Sequence, residues 1–176
     1  MKAVIDTNVL RVAAGQHSDV SEECVVKCIE QLLAMQTSGV LVIDDGHQLL
    51  EEYLKTPPLM KSTQVGGKFL KWLLQNQGNT ARVEQVTITE TAPECFAEFP
   101  DAALQAAFDP SDRKFVAVAN AHPDKPPIWQ AADCKWLSWW PALRDNGVAV
   151  EFLCADDVCR FYRKKFPNQA LPALPD

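Results

Sequence analysis

Val40-Leu41-Val42-Ile43-Asp44-Asp45 decides the fold. Four consecutive apolar residues leave no face for water, so this strand must be covered on both sides, as strands of a parallel sheet are. The two acids stop the run, and either can cap a helix after it. Upstream, Val25, Cys28, Ile29, Leu32 and Leu33 recur at helical spacing within residues 21–36, and Gly39 follows their end. Downstream, the pattern predicts a helix over about 46–55, terminated by Pro57-Pro58, and a second over about 61–77, ending near Gly78-Asn79.

The same alternation holds further out. Residues 2–6 read as a short buried strand. Residues 83–99 read mostly as loop, with a short strand at Val86-Thr87-Ile88, and a short helix follows Pro100. Asp109-Pro110-Ser111 opens a helix over 112–121, with proline in a tolerated early position. Ile128–Ala131 is a predicted strand, and 135–144 a helix closed by Asn146-Gly147. Val148–Leu153 is the last strand, and a helix covers about 156–165. Strands alternating with helices predict an α/β fold with a central, mainly parallel sheet. No internal repeat or linker interrupts residues 1–166, which read as one domain. The proline-rich tail, 167–176, is expected to add no core.

Composition narrows the function. The 176 residues are 47% hydrophobic and 23% charged, enough for an ordinary globular core. No apolar run is long enough to span a bilayer, and Asp6 comes too early for a signal peptide, so a cytoplasmic protein without a membrane partner is expected. The six cysteines include no C-x-x-C pair, and His17, His47 and His122 lie in unrelated contexts. Reduced, mostly buried thiols are the expectation, rather than a zinc site or a disulfide framework.

A net charge of −6 argues against electrostatic coating of nucleic acid. The charge is uneven, however. Residues 53–83 contain no acid but carry Lys55, Lys61, Lys68, Lys71 and Arg82. Such an arm would suit a polyanion approaching an acidic site, or would simply be a solvated helix face.

Four acids fall at strand–helix junctions or early in helices: Asp6, Glu52, Asp112 and Asp133. Sites on parallel sheets gather at the carboxyl ends of strands, where Asp6 and Asp133 lie. Glu52 borders the inward stripe of Leu49, Leu50, Tyr53 and Leu54 more closely than Glu51, so Glu52 is the site candidate. Asp109 is the simpler cap, which leaves Asp112 free for chemistry. Arg113 and Lys114 follow at once, and either could touch phosphate. Thr7 and Asn8 would orient Asp6 through hydrogen bonds. Two unit charges about 4 Å apart repel by roughly 4 kcal/mol at an effective dielectric near 20. A hard dication, Mg²⁺ or Mn²⁺, relieves that repulsion. Trp129, Trp136, Trp139 and Trp140 cluster near Asp133; a shared helical face for three of them favours packing over base stacking.

Asp6-Thr7-Asn8-Val9-Leu10, Leu49-Leu50-Glu51-Glu52-Tyr53, Asp109-Pro110-Ser111-Asp112-Arg113-Lys114-Phe115 and Ala132-Asp133 resemble, in that order, the motifs of PIN domains. The resemblance covers about residues 2–153. It implies a three-layer α/β/α sandwich and metal ligation by Asp6, Glu52, Asp112 and Asp133. It further implies a Mg²⁺- or Mn²⁺-dependent endoribonuclease acting on single-stranded RNA, leaving a 5′-phosphate and a 3′-hydroxyl. Lys55, Lys61, Lys68, Lys71, Arg113 and Lys135 would contact the RNA. Many PIN domains are toxins held by an antitoxin, so an antitoxin protein and a second copy of the chain are candidate partners. Two positions depart from the family. Ala131 stands where Thr or Ser is common, and Lys135 where many members have a further acid. The alternative is therefore a catalytically weak or inactive PIN-like module that binds RNA or a protein. A phosphatase using Asp6 as nucleophile fits less well, because Asn8 stands where such enzymes place a second acid.

Overall fold

The computed structural model describes residues 1–56 and 59–175. A five-stranded parallel sheet forms its centre: β1 (Lys2–Ile5), β2 (Val40–Asp44), β3 (Val83–Val86), β6 (Ile128–Gln130) and β7 (Val150–Phe152). Their order is β3-β2-β1-β6-β7, with β1 in the middle. Lys2 and Ala3 pair with Val40 and Leu41 on one side; Val4 and Ile5 pair with Ile128 and Trp129 on the other. The chain thus builds outward from β1 in one direction and then in the other. In open parallel sheets, sites commonly gather at the carboxyl ends of the strands where such a reversal occurs.

Ala3, Val4 and Ile5 are all fully buried, as are Leu41, Val42 and Ile43. Neighbouring residues of a strand face opposite ways, so both faces of the sheet are covered and the α/β/α sandwich is complete. The helices are α1 (Thr7–Ala13), α2 (Glu22–Ser38), α3 (Gln48–Lys55), α4 (Val65–Asn76), α5 (Ala102–Ala107), α6 (Arg113–Ala121), α7 (Trp136–Asp145) and α8 (Ala155–Lys165). α1, α2 and α4 pack on one another; α6 packs on α3 and on β1, β2 and β6.

Local chemistry sets these elements. Ser21 caps α2 by accepting the Cys24 amide at 3.2 Å, and Gly39 ends that helix. Asp44, wholly buried, accepts the amides of Gln48 (2.8 Å) and Leu49 (2.9 Å), so the end of β2 holds the start of α3. Gly66 lies so close to α1 that a Cβ there would meet the Leu10 carbonyl oxygen at 2.0 Å. Only glycine allows α4 to rest directly on the α1 backbone.

The structure corrects several expectations. The first acidic segment runs straight into α1, a helix the periodicity did not show because it is only seven residues long. α4 begins at Val65 rather than 61, and the Pro57-Pro58 stop lies outside the described residues. The third sheet strand is Val83–Val86, not 86–88, and residues read as loop contain the hairpin β4 (Glu90–Ala92) and β5 (Cys95–Phe96). All three residues of β4 are exposed, so no apolar alternation marked them. The tail does reach the core. Leu171 and Leu174 pack against it, and the Trp140 indole donates to the Ala173 carbonyl at 2.9 Å. Cys24 and Cys154 form a disulfide, against the expectation of reduced thiols. The partners lie 130 residues apart, a pairing that sequence spacing cannot show.

Candidate metal centre

The site grows from the end of β1. The Asp6 amide donates to the Trp129 carbonyl at 3.0 Å, extending the β1–β6 ladder one residue beyond Ile5. Its carboxylate accepts the Asn8 amide at 2.7 Å, capping α1, and is almost completely buried. Capping and clustering are therefore the same side chain's two roles. Asp112 sits at the start of α6, where its side chain makes no capping bond. It accepts only the Ser111 hydroxyl, at 3.3 Å. Asp133 follows β6 and accepts the Lys135 amide at 3.1 Å. Glu52, half-buried on α3, faces Lys114 Nζ at 3.3 Å. Glu51 points outward and pairs with exposed Lys55 at 3.5 Å.

These four acids feel one another. Burial, then the charges of Asp112, Asp133 and Glu52, push the Asp6 carboxyl well above the ordinary carboxylate range; only the Asn8 amide opposes them. Burial, then Asp133 and Asp109, push Asp112 up to about 7. The Trp136 indole N–H meets no acceptor in hydrogen-bond geometry, yet lies near enough to favour the charged form of Asp112. Beneath the cluster, the wholly buried Tyr53 hydroxyl donates to the Ile5 carbonyl at 2.5 Å, tying α3 to the end of β1. Burial, then Asp6, Asp44 and Glu52, hold that phenol in its protonated, donating form.

The donor set suits a hard dication: four carboxylates, with no sulfur or imidazole among them. Among the described residues, the only three ligand atoms within 4.8 Å of one another belong to cysteines elsewhere. The carboxylates thus form no closed cage. Mg²⁺ keeps several waters and commonly takes one or two protein carboxylates, so an open acidic rim fits it.

Comparisons with protein-family models, with curated proteins and with solved structures find no match for this chain. Among the described residues, no helix is long and apolar enough to cross a membrane.

Two cations occupy the rim. Lys114 is buried and held by the Ser111 carbonyl at 2.8 Å as well as by Glu52. Lys135 pairs with Asp109, which holds its ammonium above the ordinary lysine range. Sequence patterning singled out neither Tyr53 nor Asp109 for the site; Lys114 was visible only through its place beside Asp112. Arg113, expected to touch RNA, is instead buried. Its guanidinium donates twice to the Phe108 carbonyl, at 3.0 and 3.2 Å, and to the Glu94 carbonyl and Cys95 sulfur. Lys55, Lys61, Lys68 and Lys71 are exposed. Thr7 is buried with its hydroxyl unpartnered, and Asn8 orients Asp6 through its backbone rather than its side chain. The tryptophans pack: Trp129 and Trp136 are among the largest buried side chains, and Phe108 stacks on Trp139 at 4.0 Å.

Proposed function

We propose that this chain is a PIN-like endoribonuclease that hydrolyses phosphodiester bonds of single-stranded RNA with Mg²⁺ or Mn²⁺. One observation carries the reading. Asp6 and Asp112, at the carboxyl end of the sheet, are each pushed toward protonation by burial and by neighbouring acids. A fold gains nothing from such repulsion, whereas a cation site requires the acids to be gathered in advance. Asp6, Asp112, Asp133 and Glu52 would hold the ion. When bound, a divalent ion lowers the pKa of a water and polarises the scissile phosphate.

The remaining roles belong to the chain itself. Lys114, anchored by Ser111 and Glu52, presents a fixed positive charge to a phosphate at the rim. Tyr53 and Asp44 fix α3 on the sheet and so place Glu52. Exposed Lys61, Lys68 and Lys71 draw the RNA backbone by charge, an attraction that weakens with salt.

The test is cleavage of a single-stranded RNA oligonucleotide with Mn²⁺. The parent chain cleaves and a chelator stops it. Asp112→Asn, with an unchanged circular dichroism spectrum, does not. Equal cleavage by both proteins overturns the proposal. Lys114 and Lys135 within the rim support a second reading, a binding module whose acids are neutralised from inside. Calorimetry separates the two, because the module takes up no Mn²⁺ at millimolar concentration.

A further inference from the structure

We infer that Cys24, Cys28 and Cys154 form a thiol–disulfide exchange centre: the bridge moves from Cys24–Cys154 to Cys28–Cys154, and the freed Cys24 thiol becomes a modification site for low-molecular-weight disulfides. The three sulfurs all lie within 4.8 Å of one another and all three residues are buried. Cys24 and Cys154 are joined, and Cys28 Sγ is 3.8 Å from Cys154 Sγ, in contact with the bond it would attack. A buried cysteine ordinarily serves as a small apolar filler. Contact with an existing bridge is what sets Cys28 apart.

Helix geometry arranges the trio. Cys24 lies in the first turn of α2, and Cys28 follows one turn later on the same face. Cys154 is the N-cap of α8. The first turn of α2 and the start of α8 therefore meet at the three sulfurs. The alternative bridges close loops of almost equal length, 130 and 126 residues, so chain entropy does not choose between them. Packing and access decide instead. A surface cavity of about 250 Å³ is lined by Ser21, Cys24, Lys27 and Cys154 but not by Cys28. Moving the bridge inward thus leaves free the one sulfur of the three that lines the cavity and is not in the new bridge.

The exchange balances without an external oxidant. Cys28 gives up its proton, and its thiolate attacks Cys154 Sγ. The Cys28–Cys154 bond forms as the Cys24–Cys154 bond breaks, and the electron pair leaves on Cys24, which can take up a proton. Burial pushes the Cys28 thiol up to about 12, so its thiolate is scarce and the step is slow, on the minutes-to-hours scale of uncatalysed rearrangement. The Cys24 thiolate then attacks a disulfide RSSR, forming Cys24–S–SR and releasing RS⁻.

The experiment uses the full chain and oxidised glutathione, read by alkylation without reduction and peptide mass mapping. The parent acquires a glutathione on Cys24, apart from any on the free, half-buried Cys95 and Cys159, together with a Cys28–Cys154 bridge. Cys28→Ser, whose bridge has nowhere to move, acquires none on Cys24. Cys24→Ser forms the Cys28–Cys154 bridge outright. Free Cys28 and Cys154 in a folded Cys24→Ser protein overturn the inference, as does a thiophilic metal held by the three thiols in place of any bridge. Should Cys24→Ser not fold, the parent and Cys28→Ser decide alone, and a parent that keeps only Cys24–Cys154 overturns it. None of these readouts depends on the acid cluster.

Discussion

The two ends of β1 handle charge in opposite ways. At its start, Lys2 Nζ lies 2.7 Å from Glu84 and 2.7 Å from Asp124, and His122 Nε2 lies 2.6 Å from Glu84. The Asp124 amide donates to His122 Nδ1 at 3.0 Å, so the other ring nitrogen carries the proton and donates to Glu84. Lys2, then His122, hold the Glu84 carboxyl below its ordinary range, and Lys2 does the same for Asp124. At the other end, Asp6 and Asp112 are driven upward. Paired acids stabilise the fold they belong to; crowded acids cost stability and persist for another reason. The contrast is what makes the carboxyl end read as a site and the amino end as structure.

The sharpest way to break this contrast is Asp6→Asn. Asparagine keeps the α1 cap, since it too accepts an amide. The substitution removes a buried like charge, so the metal-free protein should gain about 0.5–2 kcal/mol, the range of single stabilising changes. Metal-dependent RNA cleavage should fall by more than about 100-fold, beyond the usual loss for residues that merely support a metal ligand. Thermal melts and cleavage rates measured on the same preparation check both signs. Lower stability with retained cleavage would place Asp6 among the structural acids.

Glu84→Ala tests the opposite end. It leaves the buried His122 N–H without an acceptor and removes one of the two carboxylates on Lys2. An orphaned buried donor costs about 1–3 kcal/mol, to be read from denaturant unfolding, with RNA cleavage unchanged.

How far the sequence foretold this division differs from residue to residue. Asp6 and Asp133 were legible because an apolar strand that ends in an acid leaves few places for the carboxylate to point. Glu52 was separable from Glu51 because Leu49, Leu50 and Tyr53 mark the buried stripe of the eight-residue α3 plainly. Lys114 was not separable from Arg113, since α6 is buried along Arg113–Ala119 and offers no polar face to read. The β4–β5 hairpin was hidden because strands held by backbone bonds over an exposed surface need no apolar pattern. The Cys24–Cys154 pair was hidden because only the folded chain brings α2 to the start of α8.

The two ends also predict opposite slopes of stability against pH. Asp112 is raised from 3.8 to about 7, so the folded state binds its proton more tightly than the unfolded state does. The stability this contributes is present in full below the unfolded value, declines as pH rises, and is gone above about 7. Glu84 is lowered, so its contribution is present above the unfolded value of 4.5 and is lost as pH falls through the folded one. In metal-free buffer, the melting temperature should fall between about pH 4 and 7, and Asp112→Asn should flatten that decline. Glu84→Gln should instead flatten the acid limb below about pH 4.5. A shared change in both limbs would dissolve the distinction between the ends.

The smallest expected effect comes from Lys135, the cation that softens the contrast. It pairs with Asp109 and also lies near Asp133 and Asp112, so it neutralises part of what a dication would otherwise neutralise. Lys135→Ala frees Asp109 and deepens the negative field over the rim. Surface-accessible pairs contribute at most about 1 kcal/mol, which corresponds to roughly a fivefold tightening of Mn²⁺ binding. Calorimetric titration of both proteins at one ionic strength measures it. Unchanged affinity would mean that Lys135 engages Asp109 alone, and that Lys114 by itself sets the positive side of the rim.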